Sequence, residues 1–156
     1  MSEKSGESTA PWLGQAFKLM GQTPFLASLG GELVEIGRER ALTRVPYSLK
    51  LVGDPDTGVV HGGVITGLLD HTSGMAVMGV LREPMPIATL DLRIDYMKPA
   101  VPGEDIVAEC HCLKVGHDVA FVRGAAYQSD ASNPVAICTG TFMLMRGQPA
   151  MIPPRQ

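Results

Sequence analysis

The sequence predicts an α+β domain, one long helix wrapped by an antiparallel sheet, on three observations. Val60 to Val80, VHGGVITGLLDHTSGMAVMGV, has the length and content of a helix. Ile87 to Met97, IATLDLRIDYM, alternates strictly, with Leu90, Leu92, Ile94 and Tyr96 on one side and Thr89, Asp91, Arg93 and Asp95 on the other. Three more strand-length runs follow, separated by turn signals, and no second long helical stretch interrupts them.

In chain order, residues 1–24 read as a tail and a short helix. Met1 to Ala10 is polar and predicted disordered; Pro11 to Gly21, with Trp12, Leu13 and Phe17, suits a short amphipathic helix over a sheet edge. Phe25 to Gly37 and Arg38 to Leu49 alternate well enough to predict a hairpin turning at Gly37-Arg38. GDPDTG, Gly53 to Gly58, is a loop that delivers the chain into His61 and the helix. Arg82 to Pro86 turns the chain into the Ile87 strand. Asp105 to Val115 and Asp118 to Gln128 form a hairpin about Gly116-His117, and Val135 to Met145 closes the sheet. A single domain over residues 25–147 follows, with a proline-containing tail over 148–156. Its edge strands and open sheet face make association of two copies an expectation.

Composition narrows the function classes. A net charge of −3 offers no basic footprint for nucleic acid. Cys110, Cys112 and Cys138 are an odd count with no metal-like spacing, and there is neither a signal peptide nor a long uninterrupted apolar run. The expectation is a cytoplasmic protein with no metal and no membrane partner. Cys110 and Cys112 share a strand face and read as packing thiols.

The helix itself suggests a site. A helical N-terminus presents unpaired N–H groups and partial positive charge, and Gly62 and Gly63 supply such donors with no side chain in the way. Gly63, Thr66, Gly67, Asp70, Ser73 and Gly74 fall on one face at helical spacing, with Ile65, Leu68, Leu69, Ala76 and Val80 largely opposite. Glycine inside a helix costs about 1 kcal/mol relative to alanine, so this small face calls for close approach by a strand, a second subunit or a thin ligand arm. Tight packing alone is the competing explanation.

His61-Gly62-Gly63, Asp70 nine positions after the histidine, TLDLRIDYMKPA from Thr89 to Ala100, and GEDI from Gly103 to Ile106 together resemble the hotdog-fold acyl-CoA thioesterases of the phenylacetate-degradation (PaaI) type. The resemblance covers roughly Phe25 to Met145. It implies a central helix wrapped by a curved antiparallel sheet, a homodimer or dimer of dimers, and active sites between subunits. It assigns the carbonyl-polarising N–H to Gly62, the catalytic carboxylate, base or nucleophile, to Asp70 of the partner subunit, a water-orienting hydroxyl to Thr89, and a site-shaping role to His61 beside Gly63. Acyl-CoA is then the substrate and no separate cofactor is needed.

Family members often carry Asn or Gln six residues before the histidine, where this chain has Pro55. Asp54 or Asp56 beside it is the candidate replacement, although an ionised acid cannot donate a hydrogen bond. Thr66 and Ser73 are candidate substrate contacts on the small face. Arg93 and Lys98, with Lys114 and Arg123, are candidates for the phosphates of coenzyme A, against the ordinary role of solvated strand cations. His71 points about 100° away from Asp70 and reads as core packing; His111 and His117 read as structural or exposed. Two other readings stand beside hydrolysis: a hotdog hydratase or dehydratase, and a non-catalytic acyl-CoA-binding module.

Overall fold

The computed structural model describes residues 23–149, and Gly14 ahead of them. The remainder of residues 1–22 and the end of the C-terminal tail lie outside the described residues, and with them the short helix expected over Pro11 to Gly21. The elements are α1 (Pro24–Ser28), β1 (Glu32–Ile36), β2 (Arg40–Val45), a 3-10 turn (Leu49–Leu51), β3 (Val52–Asp54), β4 (Val59–Val60), α2 (Gly62–Val80), β5 (Ile87–Tyr96), β6 (Ile106–Val115), β7 (Val119–Tyr127) and β8 (Ala136–Leu144). Six strands form one antiparallel sheet in the order β1-β2-β6-β7-β8-β5, and β3 pairs only with β4 around the GDPDTG turn. This is the α+β hotdog arrangement: α2 packs across β2, β6 and β7 on the concave face.

The expected strand over Phe25 to Gly37 is corrected at its start. Pro24 presets the dihedral of a first helical turn, Leu26 is fully buried, and Gly30 at φ 67° ends the turn. Gly31 follows because a Cβ there would meet Leu26 Cδ1 at 2.5 Å. Only from Glu32 does the chain extend, and the hairpin then closes with Gly37 N–H donating to Arg40 O at 2.7 Å.

Strand register decides what meets the helix. Ala108, Ala126 and Ala136 are fully buried and pair in sequence across β6, β7 and β8, ending on Tyr96 of β5. The next inward row runs Cys110, Gly124, Cys138 and Ile94. A Cβ at Gly124 would overlap the Cys110 sulfur, so glycine makes the room that two thiols occupy beneath α2. From Thr72 to Gly79 every residue of α2 is buried, and Thr72 and Thr43 satisfy each other across the helix–sheet seam at 2.5 Å.

The C-terminal end of α2 sits against the β1–β2 turn so closely that a Cβ at Gly79 would overlap the Gly37 carbonyl oxygen. Alanine is the better helix former in general, but here the neighbour is backbone and cannot swing aside. Gly79→Ala is therefore expected to destabilise the fold by about 2 kcal/mol, a fall in Tm of roughly 4–8 °C, measurable by thermal denaturation.

β5 corrects a second expectation. Its register with β8 shifts between Thr89 and Asp91, so Thr89 pairs with buried Phe142 while Asp91 pairs with Thr141. Leu90 is the extra residue and is 51% exposed. The bulge moves Thr89 off the face of Asp91, Arg93 and Asp95 and onto the concave face with Leu92, Ile94 and Tyr96.

Candidate active site

The site is built on α2 and the two ends of β5. His61 caps α2: it stands in extended backbone at φ −62°, ψ 133°, and its Nδ1 accepts the Gly63 N–H at 2.9 Å. With Nδ1 accepting, the neutral ring carries its proton on Nε2, and the side chain as a whole is exposed. A Cβ at Gly63 would stand 2.9 Å from Nδ1, so glycine is what lets the ring close over its own helix. Gly62, at the first helical position, has an N–H with no intrahelical acceptor.

Two turns further on, Asp70 Oδ1 accepts from the Thr89 hydroxyl at 2.8 Å. Among the described residues its other oxygen takes no hydrogen bond and is available to a water. The β5 bulge is what brings Thr89 here. At the opposite end of β5, the Tyr96 hydroxyl donates to Gly62 O at 2.7 Å, and the Thr66 hydroxyl stands 2.7 Å from Tyr96 Oη and 3.2 Å from Gly62 O, its one proton going to one or the other. Tyr96 is the participant that sequence reasoning passed over as one more apolar-side residue. The available signal was its parity on the strand, which places it on the same face as Leu92 and Ile94, toward the helix.

Between these ends the helix surface stays thin. A Cβ at Gly67 would overlap the ring of Phe25, which lies across α2 from α1 yet is 52% exposed.

Ser73 is a correction. It is fully buried, and its hydroxyl donates to Cys110 Sγ at 3.4 Å. From Thr72 to Gly79 the helix is enclosed, so the small face does not continue as a ligand surface. Asp54 is engaged in its own turn, accepting from Asp56 N–H at 3.1 Å and Thr57 Oγ1 at 2.7 Å. The Thr57 hydroxyl foremost, with the Asp56 N–H, holds its carboxyl below the ordinary value. Pro55 and Asp56 stand in the same exposed turn. Arg93 is paired with Asp95 at 3.1 Å on the outer sheet face, in register with Thr139, and is not brought to Asp70. Lys98 follows β5 half-buried, and its charge reaches Asp130.

His71, next to Asp70, is half-buried with its Nε2 enclosed and unbonded, and burial holds its pKa below the ordinary 6.5. Because the folded value is the lower one, its neutral form supports the fold fully above pH 6.5, and that support is lost as the pH falls through the folded value. The urea midpoint is expected to drop between about pH 7.5 and about pH 5.5, and to drop less in His71→Leu.

His111 bonds Glu109 at 3.0 Å and His117 bonds Asp118 at 2.7 Å, both away from α2. A hollow of about 300 Å³ opens on the outer face between Glu109, His111, Arg123 and Tyr127. Its carboxylate is already taken by Arg40, His111 and Tyr127, the Arg40 bond foremost in holding it ionised, so it offers no free base. Among the described residues no helix is long and apolar enough to cross a membrane, and no group of three or more His, Cys, Asp or Glu is placed to hold a metal.

Among the described residues, a helix N-terminus with an unbonded N–H, a capping histidine and a carboxylate two turns on are set in one hotdog sheet. The thioesterase superfamily model matches residues 57–134, and the chain belongs to that family of thiolester hydrolases. It is 30% identical over 148 residues to the medium/long-chain acyl-CoA thioesterase YigI of Escherichia coli, an alignment spanning 83% of this chain and 94% of YigI. A crystal structure of a Pseudomonas aeruginosa protein superposes with a TM-score of 0.76 at 40% identity, over 85% of this chain and 98% of that one. A mutant of the phenylacetic acid degradation protein PaaI from Thermus thermophilus shares the fold at TM-score 0.68 and 24% identity, over 78% of this chain and 98% of that one.

Proposed function

We propose that the protein hydrolyses the thioester bond of an acyl-CoA, with Asp70 as the general base and the Gly62 N–H on the carbonyl oxygen. The observation that carries this reading is the Asp70–Thr89 pair: a carboxylate with one oxygen anchored at 2.8 Å and one free. That free oxygen takes a proton from water as the water oxygen attacks the thioester carbon. The carbonyl oxygen becomes an oxyanion, for which a fixed N–H is worth a few kcal/mol. The tetrahedral intermediate then collapses, the C–S bond breaks, and coenzyme A leaves as a thiolate, needing little acid assistance. The groups named here supply the base and the oxyanion donor, and the step as proposed draws on no cofactor.

Helix geometry supports a site shared between subunits. Gly62 and Asp70 are eight residues apart on one helix, roughly 12 Å at 1.5 Å per residue, too far to act on one carbonyl. β5 carries Asp70's partner Thr89 at one end and Gly62's partner Tyr96 at the other. It is also an edge strand, with exposed Leu90 within it and exposed Met97 just after it. Two copies pairing antiparallel along β5, about a two-fold axis near its middle, would bring Asp70 of the partner subunit to Gly62. The three buried free thiols suit a reducing cytoplasm.

Similarity to the E. coli medium/long-chain acyl-CoA thioesterase favours medium- and long-chain acyl groups as the substrate class. Thr66 lies on the exposed face that the acyl-CoA would approach, while Arg93 would meet coenzyme A phosphates only from the outer side of β5 and Lys98 only from beyond its end. Release of free thiol from a panel of short, medium, long and phenylacetyl-type acyl-CoAs tests the reading: turnover of at least one is expected, greatest for the longer chains. Coenzyme A binding without turnover of any thioester would replace it with the binding-module reading, which the self-engaged Asp54 beside Pro55 favours.

A further inference from the structure

The carbonyl of Gly62 holds more hydrogen bonds than the helix requires. As a first-turn carbonyl it is already an acceptor within α2, yet the Tyr96 hydroxyl also donates to it at 2.7 Å and Thr66 Oγ1 approaches at 3.2 Å. The same peptide unit ends in the Gly63 N–H, which donates to His61 Nδ1 at 2.9 Å. An amide is conjugated, so a donor on its oxygen draws electron density from its nitrogen and strengthens the N–H as a donor in turn. Tyr96, Gly62, Gly63 and His61 thus form one polarised chain, running from the end of β5 to the histidine that caps the helix.

Burial does not explain the tyrosine, which is 51% exposed. Its ring is set over a glycine, where a Cβ would stand 3.4 Å from the hydroxyl. The strand register holds it there through its pairing with Ala136.

We infer that Tyr96 is a positioning residue for thioester hydrolysis, acting through the Gly62–Gly63 peptide to hold His61 with Nδ1 as acceptor and Nε2–H as donor, on the residue next to the oxyanion glycine. This rests on the hydrolysis proposed above. It gives the half-exposed hydroxyl a task that packing alone would not: through one peptide unit it fixes the tautomer of the histidine beside the carbonyl-polarising residue. The residue need not touch the substrate to do this.

The test combines a double-mutant cycle with a spectroscopic readout on the intact protein. Tyr96→Phe keeps the ring and removes the hydroxyl; it is expected to lower kcat about tenfold, the scale of one lost hydrogen bond, with KM changed less than about twofold. In a His61→Ala background the same substitution is expected to cost less than about twofold, because the group it acts through is gone. In ¹⁵N spectra, His61 is expected as the Nε2–H tautomer in the wild type and as a mixture in Tyr96→Phe. Equal losses of kcat in both backgrounds, or an unchanged His61 spectrum, would overturn the inference. Absence of thiol release from the wild type would sink the hydrolysis reading instead, and the spectra would still decide whether Tyr96 governs His61.

Discussion

Asp70→Asn is expected to lower thioester turnover at least about a hundredfold, the scale for removing a positioned general base. Asparagine has the size of aspartate and keeps a side-chain oxygen where Oδ1 accepts the Thr89 hydroxyl at 2.8 Å. The anchor survives and only the proton acceptor is lost. Binding of a coenzyme A thioester should therefore change little, and the loss should fall on kcat. Thiol-release kinetics beside a binding titration separate the two quantities. A variant that matched wild type in kcat would remove Asp70 from the mechanism.

Gly62→Pro is expected to cost a further about hundredfold or more in kcat, because it deletes the N–H assigned to the oxyanion. The position is unusually suited to this substitution. Proline is well tolerated as the first residue of a helix. The residue before a proline must be extended, as His61 already is at φ −62°, ψ 133°. A Cβ at Gly62 would make ordinary contact, 3.4 Å from the Tyr96 hydroxyl. Gly62→Ala carries the same Cβ and retains the N–H, so it should remain within a few-fold of wild type. Circular dichroism that is unchanged in both variants would place the difference on the donor rather than on the helix.

Periodicity made most of this architecture legible. The helix starting at His61-Gly62-Gly63 and the β6–β7 and β7–β8 turns fall where the sequence places them, because each long element buries a regular stripe. The failures are local and have physical causes. Strict alternation assigned Thr89 to the face of Asp91, since the pattern of residues carries no sign of a one-residue bulge; the pairing with β8 imposes it. Ser73 shares helical phase with Asp70, but how far the sheet encloses a helix depends on strands distant in sequence, and here Cys110 and Cys138 close over it. Phe25 to Ser28 reads as the start of the alternating run to Gly37, yet Pro24 and Gly30 bracket a helical turn. Tyr96 sat in plain view within DYMKPA, while its partner Gly62 lies 34 residues upstream.

The measurement that tests the central claim most directly is subunit complementation between Asp70→Asn and Gly62→Pro. Each variant alone should be nearly inactive. If every site takes Gly62 from one subunit and Asp70 from the other, unfolding and co-refolding the two at equal concentration yields mixed dimers in which one of two sites is intact. Recovery of about a quarter of wild-type activity is then expected from random pairing in a two-fold dimer. Activity that stays at the level of the separate variants, in samples shown by mass spectrometry to contain mixed dimers, would contradict a site shared between Gly62 and Asp70 of the partner subunit.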